Sequence, residues 1–94
     1  MQLRMDGRVA LVTGGSKGLG FAMAAKFASC GADVALLARN NAEVASAAQS
    51  IKETTGQRVI GISCDVSQNV EITAAYEQVV SEFGKVDILV NNAG

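Results

Sequence analysis

The residues most suited to chemistry are Thr13-Gly14-Gly15-Ser16-Lys17-Gly18-Leu19-Gly20, directly after the apolar run Val9-Ala10-Leu11-Val12 and at the head of a segment of helical period. A helix start at such a junction presents unpaired N–H groups and roughly half a positive charge, so backbone alone holds a diphosphate there. Glycine makes the tight turn and lets the ligand approach closely, where a Cβ would stand in the way. The amides between residues 14 and 20 are expected to form this cradle; the bland alternative is an ordinary glycine-rich turn. A triphosphate-binding P-loop is excluded. Gly15 and Gly20 have its G-x-x-x-x-G spacing, but Lys and then Ser or Thr must follow to reach the phosphates and magnesium, and this chain has Phe21 and Ala22.

The elements that must position this turn follow from four apolar runs, Val9–Val12, Val34–Ala38, Val59–Ile62 and Ile88–Val90. Each lacks polar alternation, as strands buried on both faces of a parallel sheet do. Between them lie three segments of helical period, about Leu19 to Ser29, Asn41 to Thr55 and Gln68 to Phe83. The first places Leu19, Met23 and Phe27 on one stripe, with Ala22, Ala24, Ala25 and Ala28 allowing close approach to a sheet. The second aligns Val44, Ala48 and Ile51 behind an Asn40 or Asn41 cap, and the third aligns Ile72, Tyr76, Val79 and Phe83 behind a Ser67 cap. Gly31, Gly56 and Gly84 each follow a helix, where a left-handed residue is needed. The alternation predicts βαβ units wound right-handed into a doubly wound parallel α/β sheet.

The 94 residues allow one domain, and 49% hydrophobic, 18% charged and no proline exclude disordered and collagen-like classes. A net charge of −1 leaves no basic field for nucleic acid or anionic lipid, so neither partner is expected. No histidine is present, and Cys30 and Cys64 form no CxxC pair, which leaves no zinc set and no triad-type base. The cysteines are expected as reduced core thiols. No apolar run approaches the roughly 18 residues of a membrane span, and a soluble, cytoplasmic protein is expected.

Three blocks carry a resemblance. Thr13-Gly14-x-x-x-Gly18-x-Gly20 resembles the cofactor signature of the classical short-chain dehydrogenase/reductase family. Asn91-Asn92-Ala93-Gly94 matches its N-N-A-G segment at the end of the fourth strand, and Cys64-Asp65-Val66 matches its adenine-contacting position. The resemblance implies a Rossmann-like sheet of four strands, order 3-2-1-4, with three helices. Residues 1–94 would be an NAD(P)-binding Rossmann domain truncated after N-N-A-G, the incomplete half of a larger domain. It further implies that Gly14, Ser16, Lys17, Gly18, Leu19 and Gly20 line the diphosphate, that Asp65 and Val66 lie at the adenine, and that Asn92, Ala93 and Gly94 lie along the ribose. Asn91 and Thr13 would tie the first and fourth strands. Asp65 has a competing role as a cap on the turn into the third helix.

An acid at the end of the second strand binds the ribose 2′-hydroxyl of NAD and repels a 2′-phosphate. Ala38 stands where the family's NAD-preferring members have Asp, and Arg39 follows. A guanidinium grips phosphate bidentately, and Lys17 offers a second charge, so NADP is expected over NAD. An exposed loop arginine is the alternative for Arg39.

The family's chemistry is hydride transfer between nicotinamide and a carbonyl or alcohol, using Ser and Tyr-x-x-x-Lys beyond N-N-A-G. Tyr76 is followed four positions on by Val80 and reads as core, so no catalytic residue is assigned and the chain alone is expected to be inactive. The alternatives are a non-catalytic NADP-binding sensor or interaction module and a nonfunctional truncated product. With one helix on one sheet face, the fourth strand should be an open apolar edge, which predicts self-association or pairing with a complementary chain.

Overall fold

The computed structural model describes residues 4–92. Four strands, β1 (Val9–Thr13), β2 (Asp33–Ala38), β3 (Val59–Ser63) and β4 (Ile88–Asn91), alternate with three helices, α1 (Gly18–Ser29), α2 (Asn41–Thr55) and α3 (Asn69–Phe83). All three pairings are parallel, and the order is β3-β2-β1-β4. The expected Rossmann-like sheet is therefore the observed one. The register aligns Thr13 with Leu37 of β2 and with Asn91 of β4, which brings three strand ends to one edge.

Side chains alternate between two cores. Ala10, Val12, Val34 and Leu36 face α1 and α2, where they pack with Ala24, Ala28, Val44 and Ile51. Val9, Leu11, Ala35 and Leu37 face α3 and meet Ala75 and Val79. Val12, Val34, Leu36, Val44 and Ile51 are almost wholly buried, as double-sided cover requires.

The α2 stripe Val44, Ala48 and Ile51 is buried as expected. Asn40 is its cap, accepting from the Glu43 N–H at 2.9 Å. The α1 stripe differs from the expectation. Gly20, Ala24 and Ala28 face the sheet, Met23 and Phe27 are half-buried flanks, and Leu19 is 66% exposed. The line of small residues lets the helix lie against β1 and β2, and larger side chains are displaced to its sides.

In α3 only Ala75 and Val79 are buried; Phe83 is a partly buried flank, Ile72 is 38% exposed, and Tyr76 is 49% exposed and not core. A single helix covers this face, so Ile72 and Tyr76 of the expected stripe border an open groove over Leu11, Leu37 and Leu89 instead of packing into a core. Ser67 is not its cap either. Gln68 is the N-cap residue, while the Ser67 N–H and O–H both donate to Asp65 Oδ1, at 3.0 and 2.7 Å. Gly31, Gly56 and Gly84 take φ of 105°, 75° and 87° after the three helices, as expected.

Beyond the strand edges, Arg58 closes the α3 side. Its guanidinium lies 4.7 Å from the Phe83 ring centre and donates to the Glu82 carbonyl at 2.7 Å. Asp87 holds β4 to β1, accepting from the Val9 N–H at 2.8 Å while its own N–H donates to the Val9 carbonyl at 2.9 Å. No helix among the described residues is long and apolar enough to cross a membrane.

Candidate functional site

The carboxyl ends of β1, β2 and β3 open into a cleft of about 300 Å3. Gly14, Ser16 and Lys17 of the glycine turn, Arg39 after β2 and Val66 after β3 all line it, so residues far apart in sequence meet in one place. The crevice outside the carboxyl ends of an open α/β sheet is where such folds take ligands.

The turn is built by conformation. Gly14 and Gly18 have φ of 66° and 57°, a region costly for a residue with a Cβ. A Cβ on Gly20 would collide with the Gly14 carbonyl oxygen and stand 2.7 Å from Asn92 Nδ2, so the start of α1 must be bare to lie against β1 and β4. Gly15 has a similar constraint, since a Cβ there would meet Leu36 Cδ2 at 2.9 Å.

One part of the expected cradle is otherwise engaged. The Gly14 and Gly15 N–H groups donate to the Leu37 carbonyl, at 2.7 and 3.2 Å. They anchor the turn to β2, which shifts the candidate diphosphate donors to the amides from residue 16 onward. The start of α1 suits that role. Lys17, its N-cap residue, makes no side-chain cap bond, and the first turn carries no acidic residue. In α2, by contrast, Asn40 caps the helix and Glu43 sits in the first turn. The helix beside the glycine turn is thus the one whose positive end is left for an outside anion, and the residues present fit a diphosphate.

Thr13 and Asn91 take the tying role expected of them. The Thr13 hydroxyl faces the Val90 carbonyl at 3.3 Å and Asn91 Oδ1 at 3.1 Å, and it accepts from the Asn92 N–H at 2.9 Å. Asn92 is half-buried beside the glycine turn, whereas Ala93 and Gly94 lie outside the described residues. Leu19 is exposed next to the turn.

Asp65 takes up its competing role. Besides accepting both Ser67 bonds, it receives Gln68 N–H on its carbonyl at 3.0 Å, and its own N–H donates to Glu71 Oε1 at 3.0 Å. The Ser67 hydroxyl and N–H hold its carboxyl below the usual carboxylate range, with a smaller contribution from the Arg39 charge. Beside it, burial and then the Glu71 and Asp65 carboxylates push the Cys64 thiol up. Cys30 and Cys64 are both free and buried, and the described residues hold no group of acids, cysteines or histidines fit for a metal.

Glu43 is the cleft residue that the sequence reading missed. Its Oε1 lies 2.8 Å from Lys17 Nζ, and that bond and charge push the lysine pKa up. Its signal was available: an acid three positions after an asparagine cap lies in the first helical turn.

The chain matches the family model described as short chain dehydrogenase over residues 8–94. It is 41% identical over 87 residues to the 3-oxoacyl-(acyl-carrier-protein) reductase of Chlamydia muridarum, covering 93% of this chain and 35% of that protein. Among solved structures it is similar to L-sorbose reductase from Gluconobacter frateurii, complexed with NADPH and L-sorbose. There the TM-score is 0.96 at 45% identity, over all of this chain and 36% of that one. It is also similar to an NAD+-bound xylitol dehydrogenase, with a TM-score of 0.90 at 37% identity, over 95% of this chain and 34% of that one. The chain thus spans about a third of the length of these relatives.

Proposed function

The chain belongs to the short-chain dehydrogenase family, and on that premise we propose that it is the NADP(H)-binding portion of an oxidoreductase that transfers hydride between a nicotinamide cofactor and a carbonyl or alcohol. The observation that carries the cofactor choice is the wall of the cleft at the end of β2. Ala38 offers no carboxylate to a ribose 2′-hydroxyl, Arg39 stands next to it, and Lys17 faces the same space from the glycine turn. The bound cofactor would supply the hydride chemistry; the chain supplies orientation. The amides of residues 16–20 and the start of α1 would hold the diphosphate. Val66 would flank the adenine, with the Asp65 turn fixing the backbone there, and Asn92 would sit on the ribose side. The relatives named above include one with NADPH and one with NAD+. The preference for NADP therefore rests on Ala38, Arg39 and Lys17.

Arg39→Ala tests this reading. A charged hydrogen bond lost to the 2′-phosphate weakens NADP about 10- to 100-fold and leaves NAD nearly unchanged in calorimetric titration. Equal losses for both cofactors would overturn the assignment. Where Leu89 is 65% exposed beside Ile72 and Tyr76, we also infer that the α3 face is covered by self-association or by a complementary chain. Sedimentation is expected to show a concentration-dependent mass, reduced in Leu89→Ser.

A further inference from the structure

We propose that Glu43 is a specificity-determining residue of this cleft: it holds Lys17 in an ion pair and sets a negative charge beside the place a 2′-phosphate would take, which lowers the advantage of a 2′-phosphorylated nucleotide over its unphosphorylated counterpart. The proposal rests on the nucleotide reading of the cleft given above.

The two cations of the cleft are not equivalent. Arg39 takes part in no ion pair among the described residues, although Asp65 feels its charge. Lys17 is committed, with Nζ 2.8 Å from Glu43 Oε1. The two partners come from different elements. Lys17 precedes α1 and Glu43 is the third residue of α2, so the pair bridges the mouth between the two helices.

Glu43 is three positions after the Asn40 cap, where a carboxylate commonly turns back to the N–H of the cap residue. Here its backbone N–H completes the cap, and its side chain reaches out to Lys17 instead. The start of α2 is therefore secured by Asn40, which leaves the Glu43 carboxylate free to act on the cleft.

Any anion that draws Lys17 to itself must displace Glu43, or lie within a few ångströms of its carboxylate. A phosphate with nearly two negative charges meets both costs; a neutral ribose hydroxyl meets neither. Because the Lys17 side chain is 76% exposed and that of Glu43 38% exposed, solvent and salt screen the interaction and limit it to a modest factor in affinity.

The test is calorimetric titration of the chain and of Glu43→Gln with NADP+ and NAD+. Glutamine keeps the side-chain size and the backbone bond to Asn40, so the helix start is preserved. The expected result is NADP+ binding about 3- to 10-fold tighter with NAD+ within about twofold, and a gain that shrinks as salt is raised to roughly 0.5 M. In a Lys17→Gln background the same change should give a smaller gain, because only the repulsion is relieved. Glu43→Asp, which keeps the charge but has a shorter reach, should fall between the parent and Glu43→Gln, and it provides a second route should glutamine disturb folding. Unchanged NADP+ affinity, equal shifts for both cofactors, or a selective loss of NAD+ would each overturn the role of Glu43 while leaving the cleft's nucleotide reading standing. Failure of both cofactors to bind parent and variants alike would overturn that reading, and this inference with it.

Discussion

The two faces of the sheet are built to different degrees of completion. On the α1 and α2 side, two helices cover the strands, and the inward-facing Ala10, Val12, Val34 and Leu36 of β1 and β2 and Val44 and Ile51 of α2 are almost fully buried, while Ile88 and Val90 of the edge strand β4 are partly buried. On the α3 side a single helix reaches only part of the sheet, and Leu89, Ile72 and Tyr76 border a groove of about 280 Å3. The cleft at the strand ends draws on both, but its glycine turn and both cations belong to elements of the sealed side. A phosphate-binding turn that depends on backbone placement needs rigid support, and the sealed face provides it. The α3 face carries exposed apolar surface at Leu89, Ile72 and Tyr76.

The largest effect that can break this contrast lies in the sealed core. Leu36 is fully buried, and Leu36→Ala is expected to cost about 2–5 kcal/mol in urea denaturation. A loss below about 1 kcal/mol would mean that this face is no better packed than the other.

Gly20 links packing with binding. The Cβ of Gly20→Ala meets the Gly14 carbonyl and the Asn92 amide, so the turn must shift. NADP affinity is expected to fall more than about tenfold, a difference of some 1.4 kcal/mol, with a lowered melting temperature. A well-folded variant with parent affinity would show that the turn does not need this close approach.

The edge strand gives a pH signature. The Val9 N–H, and secondarily Lys85, hold the Asp87 carboxyl below its usual range. A depressed folded-state pKa stabilises the fold above the unfolded value of about 3.9 and loses that contribution as pH falls through the folded value. The melting temperature should be level from pH 7 to about 5 and fall below about pH 4, more shallowly in Asp87→Asn. The smallest effect is expected at Leu89. Its exposure in the single chain predicts that Leu89→Ser changes stability by no more than about 0.5 kcal/mol at concentrations low enough for the chain to be monomeric, which sharpens the contrast with Leu36.

What the sequence made legible follows the same division. Runs of Val, Leu and Ala announced the parallel strands, and the α2 stripe was readable because Val44 and Ile51 are large and truly face the core. In α1 the largest side chains pointed to the wrong face, since close packing selects glycine and alanine, which periodicity weighs least. Tyr76 misled for another reason. A stripe reports which residues share a helix face, and the width of sheet beneath it is decided elsewhere.

At the site, the glycine turn was visible as spacing, Arg39 by its place after the second strand, and the Thr13–Asn91 tie through the family resemblance, and the structure places all of them at the strand ends. Two features were not visible. Use of the Gly14 and Gly15 amides by the Leu37 carbonyl depends on β1–β2 register, and the Lys17–Glu43 pair depends on how two helix starts approach in space.

The central claim is that the turn after β1 binds a diphosphate through its backbone on the sealed side of the sheet. The most direct test follows the backbone amide resonances of the chain as NADP+ is added. Saturable shifts concentrated at residues 16–20 are expected, with those of Val70 to Phe83 in α3 little changed. Shifts that are absent from 16–20, or that appear mainly along α3, would contradict the claim.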